Sequence, residues 1–410
     1  PDSLRTPGYT IFAALLFSVT RSWDVAILLQ GILVSVAPLL VYLIGRCLDE
    51  RVAFIAAFVF LFDPNRIVWS NTLMTDAPMT VLLLLSLWTF IRWTEARSWR
   101  FLAGSGVLLG LATMFRPVTM FLWIAFIIII VVHDRLRNWK TWIPHAAIFL
   151  VSFTLLIMPW SIRNKLTFGS WQLSAVGGYS FAYAHAILYA HEKTREPLES
   201  LYRRFNALIG ADKDPIRSVS LEKMDLYGRF ARELINGDYL GYAKWHLVKS
   251  IPFFLTDGLR APAQLFGIIG ESTPPNFSDL FLHGHFARGI SDYVHRAPIE
   301  ATLFIVGSVF WLVVTILAFL GIVLEFLFRR PIRPTVLLLA LIAAYIFAVS
   351  SGPVAQARYR LPIEGLLFLF AGIAVSGFWT RVGARRVSRV DNRAADECNT
   401  SAPHDRRGVS

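Results

Sequence analysis

The residues equipped for chemistry stand beside prolines at the ends of apolar runs. Asp76 lies in Thr72-Leu73-Met74-Thr75-Asp76-Ala77-Pro78, Asp63 and Arg66 flank Pro64, and Arg116 precedes Pro117. Arg163-Asn164 follows Pro159-Trp160, Arg358-Tyr359-Arg360 comes just before Leu361-Pro362, and Arg5 precedes Pro7-Gly8-Tyr9. A charge near bilayer depth costs about 2.5–3.5 kcal/mol on insertion scales, so each needs a reason. Singly, each has an ordinary one. Asp76, two residues before Pro78, suits a helix N-cap. Arg116, Arg163, Arg358 and Arg360 suit helix ends whose guanidinium reaches lipid headgroups. Together, several guanidiniums around one or two carboxylates suit a phosphate-bearing lipid ligand. Asp76 could then orient an acceptor or hold a divalent metal.

Other chemistries lack their residues. His185, His191 and Glu192, and the pair His283 and His285, have no diagnostic zinc spacing. A Walker loop, a GxSxG and a GxGxxG opening a helix are all absent from the sequence. Glu325 and Glu364 lie within apolar runs, and Glu364 is spaced to pair with Arg360 at i, i+4.

The elements that must position these residues are membrane helices. The chain is 55% apolar, 17% charged and has a mean hydropathy of +0.53, too little polar surface for a soluble domain of 410 residues. Two cysteines, Cys47 and Cys398, rule out a disulfide scaffold. A crossing helix needs roughly 20 mainly apolar residues. Runs at 25–45, 52–62, 73–91, 101–115, 118–132, 142–160, 301–328, 335–349 and 361–379 make nine candidate spans. The run at 11–19 is too short to cross and suits the interface.

Basic residues in the short loops set the orientation. Alternate loops at 46–51, 92–100, 133–140 and 329–333 carry eleven Lys or Arg. The intervening short loops carry four: Arg66, Arg116, Arg358 and Arg360. The first set is therefore expected in the cytoplasm with the seven-arginine tail, and both cysteines with it. Much of the net charge of +12 is thus a topology signal, and no nucleic-acid partner is expected. Residues 1–24 fall outside with no initiator Met or signal peptide, so an upstream transmembrane helix is expected.

The expected organisation is an outer loop with an interfacial helix (1–24), a membrane bundle of about six spans (25–160), a mostly helical outer loop domain (161–300), three C-terminal spans (301–379) and a disordered basic cytoplasmic tail (380–410). The 161–300 segment balances 16 basic against 14 acidic residues and is often broken by Gly and Pro. Its most helical part, 221–255, places Leu221, Met224, Tyr227, Phe230 and Leu234 at helical spacing. The fold class is all-α and polytopic.

Six motifs in order resemble one family. Arg5-Thr6-Pro7-Gly8-Tyr9 followed by Phe12-Ala13-Ala14-Leu15 looks like the RTPGYPLFLA segment of lipid-carrier-dependent glycosyltransferases. These GT-C membrane enzymes are related to protein O-mannosyltransferases (family 39) and aminoarabinose transferase. Further likenesses are Gln30…Tyr42-Leu43-Ile44-Gly45-Arg46 and Ala56-Ala57…Asp63-Pro64 with Ser70…Thr75-Asp76. Then come Gly104…Gly110-Leu111-Ala112…Arg116-Pro117, Pro159-Trp160-Ser161-Ile162-Arg163-Asn164 and Ala357-Arg358-Tyr359-Arg360-Leu361-Pro362. Thr10 stands where the family usually has Pro.

The resemblance implies transfer of a sugar from a polyprenyl-phosphate donor to a protein, lipid or glycan acceptor on the outer face. It implies inversion at the anomeric carbon with the lipid phosphate as leaving group. That phosphate calls for cations, with Arg358 and Arg360 first, then Arg116, Arg163 and Arg5, and with Tyr9 nearby. Asp76 matches the family's second acidic position. The acidic residue the family uses as base lies in a loop upstream of the Arg5–Tyr9 segment, and Asp2 is no substitute for it. The expected location is the plasma membrane. A transporter or flippase of a lipid-linked sugar is the alternative, but transporters place ionisable residues at the midplane and carry repeats.

Overall fold

The computed structural model describes residues 3–211, 215–256, 258–270, 286–328 and 331–400, the last helix from residue 379 onward by its backbone alone. All regular structure among the described residues is helical. Six helices are long and apolar enough to cross a membrane: Trp23–Arg46, Asp76–Ala96, Pro117–Asp134, Trp139–Phe168, Pro298–Phe328 and Ala357–Phe378. The expected runs at 101–115 and 335–349 form the helices Trp99–Phe115 and Pro334–Ser350, 17 residues each. At 1.5 Å per residue each is about 25 Å long, short of a full hydrocarbon core. His283, His285 and residues 401–410 of the tail lie outside the described residues.

The remaining run is broken. Glu50–Leu61 and Pro64–Ser70 meet at a bend of 59°. Pro64 has no N–H to continue the first helix, and Asp63 caps the second by accepting from the Asn65 N–H at 3.0 Å. The carbonyls freed at the break are met by Arg66, whose Nε and Nη2 donate to Phe60 O at 2.9 Å and Leu61 O at 3.0 Å. The break thus satisfies its own backbone while setting Asn65 and Trp69 on a new axis.

Close approach of helices explains where the short helix sits. A Cβ at Gly106 would stand 2.5 Å from Phe149 O, so the Trp99–Phe115 helix can touch Trp139–Phe168 only with glycine there. Against Asp76–Ala96 it is tied by reciprocal bonds, Ser86 Oγ to Ser105 O and Ser105 Oγ to Ser86 O, both at 2.9 Å. Ala357–Phe378 is the most enclosed span and carries Leu361, Leu366, Leu369 and Phe370 into the core. These contacts bring the N-terminus of Asp76–Ala96, the C-terminus of Trp99–Phe115 and the N-terminus of the last span to one end of the bundle.

The segment after Phe168 covers that same end. Helices Val176–Ser180, Ile187–Thr194, Leu198–Ile209 and Met224–Ile235 enclose a second core of Ala186, Phe205, Leu221, Tyr227 and Phe230. The N-terminal strap is pinned to it: Ala175 N donates to Ser3 O at 3.1 Å and Ser174 Oγ to Leu4 O at 2.6 Å. The Gly8–Thr20 helix leaves Ile11, Leu15 and Val19 exposed, as an interfacial helix would. The opposite end holds the loops rich in basic residues. There Asp134 accepts from Arg97 Nη1 at 2.7 Å and pairs with His145 Nδ1 at 2.6 Å, and Arg333 forks onto Glu325 at 2.5 and 2.8 Å.

Candidate active site at the covered end of the bundle

Asp76 opens its helix but is not the cap, a place taken by Thr75 without a side-chain bond. The residue is 3% exposed, and its carboxylate forms an ion pair with Arg116 Nη1. Arg116 is in extended conformation, φ −151° and ψ 118°, because Pro117 excludes the helical region for the residue before it. The turn therefore ends the Trp99–Phe115 helix and throws the guanidinium across to Asp76.

The cluster continues through aromatic faces. Arg116 Cζ lies 5.1 Å from the Tyr359 ring centroid, and Arg358 Cζ lies 5.0 Å from the same ring and 5.6 Å from that of Trp69. Arg358 Nη2 donates to Tyr359 Oη at 3.2 Å, while its Nε is buried with no hydrogen-bond partner. Asp76, Arg116, Tyr359, Arg358 and Trp69 thus form one contiguous chain. One carboxylate stands against two guanidiniums, leaving surplus positive charge and an unused donor.

Arg360 is placed differently. It is 0% exposed, donates from Nε to Glu364 Oε1 at 3.3 Å, from Nη1 to Phe253 O at 2.6 Å and from Nη2 to Thr256 O at 3.0 Å. Its Cζ lies 3.5 Å from the Trp311 centroid. Arg163 stacks on Trp160 at 4.5 Å and Phe168 at 4.9 Å and donates to Asn164 Oδ1 at 2.8 Å. Arg5 is exposed. Tyr9 donates to Gln30 Oε1 at 3.0 Å, and Gln30 Nε2 holds Ser70 O at 3.1 Å and Thr72 O at 2.7 Å. Gly8 lets this strap lie against the Arg116 turn, since a Cβ there would sit 2.5 Å from Met114 O.

Tyr359, Trp69, Asn65 and Gln30 were not singled out from sequence as site residues. The Asn65–Trp69 pair at i, i+4 in a helix too short to be a span was the available signal. Among the described residues no three His, Cys, Asp or Glu side chains gather as metal donors, and Asp76 is engaged by Arg116.

With this geometry in place, sequence and fold comparisons converge. Residues 5–162 match the dolichyl-phosphate-mannose-protein mannosyltransferase family. The match takes in Tyr9, Asp76 and Arg116 and ends before Arg163. No curated protein matches the chain in sequence. Among solved structures, the archaeal oligosaccharyltransferase AglB from Archaeoglobus fulgidus, in complex with an inhibitory peptide and a dolichol-phosphate, is similar at 15% identity and a TM-score of 0.50, covering 99% of this chain and 44% of that one. The Archaeoglobus fulgidus oligosaccharyltransferase tethered to an acceptor peptide containing the NVT sequon is similar at 15% identity and a TM-score of 0.50, over 93% and 42%. The chain therefore spans less than half the length of these structures, and the likeness is one of fold. It is the GT-C fold of an all-helical membrane protein, as the six ordered motifs imply.

Proposed function

We propose that the chain transfers a sugar from a polyprenyl-phosphate donor to an acceptor at the membrane face where Asp76, Arg116 and Arg358 meet. Loop charge supports that face being the outer one, at the plasma membrane. The acceptor oxygen or nitrogen attacks the anomeric carbon as the bond from that carbon to the phosphate oxygen breaks. The bonding pair goes to the phosphate, which passes from a singly charged diester to a doubly charged monoester. A fixed guanidinium beside that oxygen is worth more in the transition state than in the ground state. Arg358, with its unused Nε, is the observation that carries this reading. The acceptor gives up its proton as the new bond forms, and Asp76, kept beside Arg116, is the carboxylate at this site that orients the acceptor.

The test is a transfer assay at matched expression with a polyprenyl-phosphate sugar. A peptide acceptor comes first, because the archaeal neighbour was captured with one. Arg358→Ala is expected to lose about 10²–10³ in rate, the usual cost of one such donor. Arg358→Lys keeps the charge but not the planar fork and retains part of the activity. Near wild-type turnover in Arg358→Ala refutes the phosphate role and leaves Arg358 as a membrane anchor.

A further inference from the structure

We infer that Asn65, through Trp69 and Ala357, is a positioning residue that aims Arg358 at the donor phosphate. The inference rests on the role of Arg358 proposed above. Asn65 is 1% exposed, just past the break in the bent helix pair. Both ends of its amide are used. Nδ2 donates to Glu364 Oε1 at 2.9 Å and to Ala357 O at 3.3 Å, and Oδ1 accepts from Trp69 Nε1 at 2.9 Å. Its backbone N–H is held by Asp63 Oδ1 at 3.0 Å.

Two of these bonds bear on Arg358. Ala357 is the residue from which Arg358 continues, so the bond to its carbonyl fixes the backbone at the root of that side chain. Trp69 is one of the two rings against which the guanidinium lies, at 5.6 Å. An indole turns about its side-chain torsions unless its N–H is tethered, and here Asn65 is the tether. The contrast with the neighbouring arginines gives this weight. Arg116 is oriented by Asp76, and Arg360 by Glu364 and two carbonyls. Among the described residues no carboxylate pairs with Arg358, which is held by Tyr359 and Trp69. A cation held mainly by ring faces keeps most of its donors for a ligand, here all but the one given to Tyr359 Oη, but its aim is only as fixed as the rings. The polar network behind Trp69 supplies that fixity.

The experiment measures binding of farnesyl phosphate to the full chain in detergent, alongside thermal unfolding. It uses wild type, Arg358→Ala, Trp69→Phe, Asn65→Ala and the double variant Trp69→Phe with Arg358→Ala. Trp69→Phe keeps a ring and removes only the N–H tether, so it stays informative if Asn65→Ala fails to fold. Arg358→Ala is expected to weaken binding roughly 10–100-fold, the loss of a charged hydrogen bond. Trp69→Phe should weaken it about fivefold and lower the unfolding temperature by a few degrees, since buried Asn65 Oδ1 loses its donor, and should have no further effect on binding once Arg358 is gone. A Trp69→Phe effect of equal size with and without Arg358, or no effect at all, overturns the positioning role while leaving Arg358 as the phosphate ligand. Wild-type affinity in Arg358→Ala, or no binding by wild type, instead overturns the phosphate reading itself.

Discussion

Asp76 and Arg116 form an ion pair that joins the first turn of one helix to the turn after the next, and the two partners are unequally exposed. The Asp76 side chain is 4% exposed and that of Arg116 25%. Removing one partner of a buried pair costs most when the charge left behind is the buried one. Arg116→Gln should therefore cost about 3–5 kcal/mol, and Asp76→Asn distinctly less, because the freed guanidinium can turn toward solvent. The double variant should recover most of the stability of Arg116→Gln, and none of the three should transfer sugar at the wild-type rate. Thermal unfolding in detergent reads the asymmetry, and equal losses in the two single variants would sink it.

Arg358 and Arg360 are expected to separate into a functional and a structural residue. Arg360 is wholly buried and donates to Glu364, Phe253 and Thr256, so its truncation strands a buried carboxylate and two carbonyls. Arg360→Ala should lower the unfolding temperature by many degrees, whereas Arg358→Ala should leave it nearly unchanged and act on transfer. An Arg360→Ala protein as stable as wild type contradicts this division.

That division also shows where sequence reading stops. Both arginines lie at the head of the last apolar run and look alike there. Residues two apart on a helix point about 200° apart, so one faces the cluster and the other the core. Which does which depends on Trp311 and Glu364, set by packing across the bundle. The helices themselves were legible because apolar runs of sufficient length have few alternatives in a bilayer. The break at Asp63-Pro64 was legible as punctuation, but not the direction taken after it. Asp76 looked like a cap because the local pattern asks only about neighbours, and its partner lies forty residues away. Asn65 gave still less warning, since its acceptors Ala357 and Glu364 are nearly three hundred residues distant.

Cys47 should be a slow thiol. It sits just past the Ala37–Arg46 helix, half-buried, with Sγ 3.5 Å from Glu95 Oε1. Burial first, and then the Glu95 carboxylate, push its pKa up to about 11. Because the thiolate is the reactive form, labelling in detergent should quicken about tenfold per pH unit between pH 7 and 10. Glu95→Gln should raise the rate at fixed pH. Fast, pH-independent labelling of Cys47 argues against this environment. The side of the membrane is read separately with Arg135→Cys at an exposed loop position, which a membrane-impermeant thiol reagent should not reach in intact cells.

Acid should loosen the segment that covers the site. His185, in the π turn Phe181–Ala186, stacks on His246 with centroids 5.5 Å apart. Its Nδ1 is 3.4 Å from Tyr242 Oη, and His246 Nε2 is 3.4 Å from Ser351 Oγ, which also bonds Ser250 Oγ at 2.8 Å. These contacts fasten the Tyr239–Lys249 helix to the loop leading into Arg358. Burial first, and then the charge His246 can carry, push His185 down to about 4. An unfolded histidine titrates near 6.5. Between about pH 6.5 and 4 the unfolded chain therefore binds a proton that the folded chain refuses. Stability is full above that window and falls as pH drops through it. Nearby Asp238, held down to about 2 first by Lys193 and then by Tyr189, stays ionised throughout. The unfolding temperature should drop between pH 6.5 and 4 in wild type and drop much less in His185→Phe, which keeps the stacking ring without the titration. The same pH slope in both proteins would assign the loss to another group.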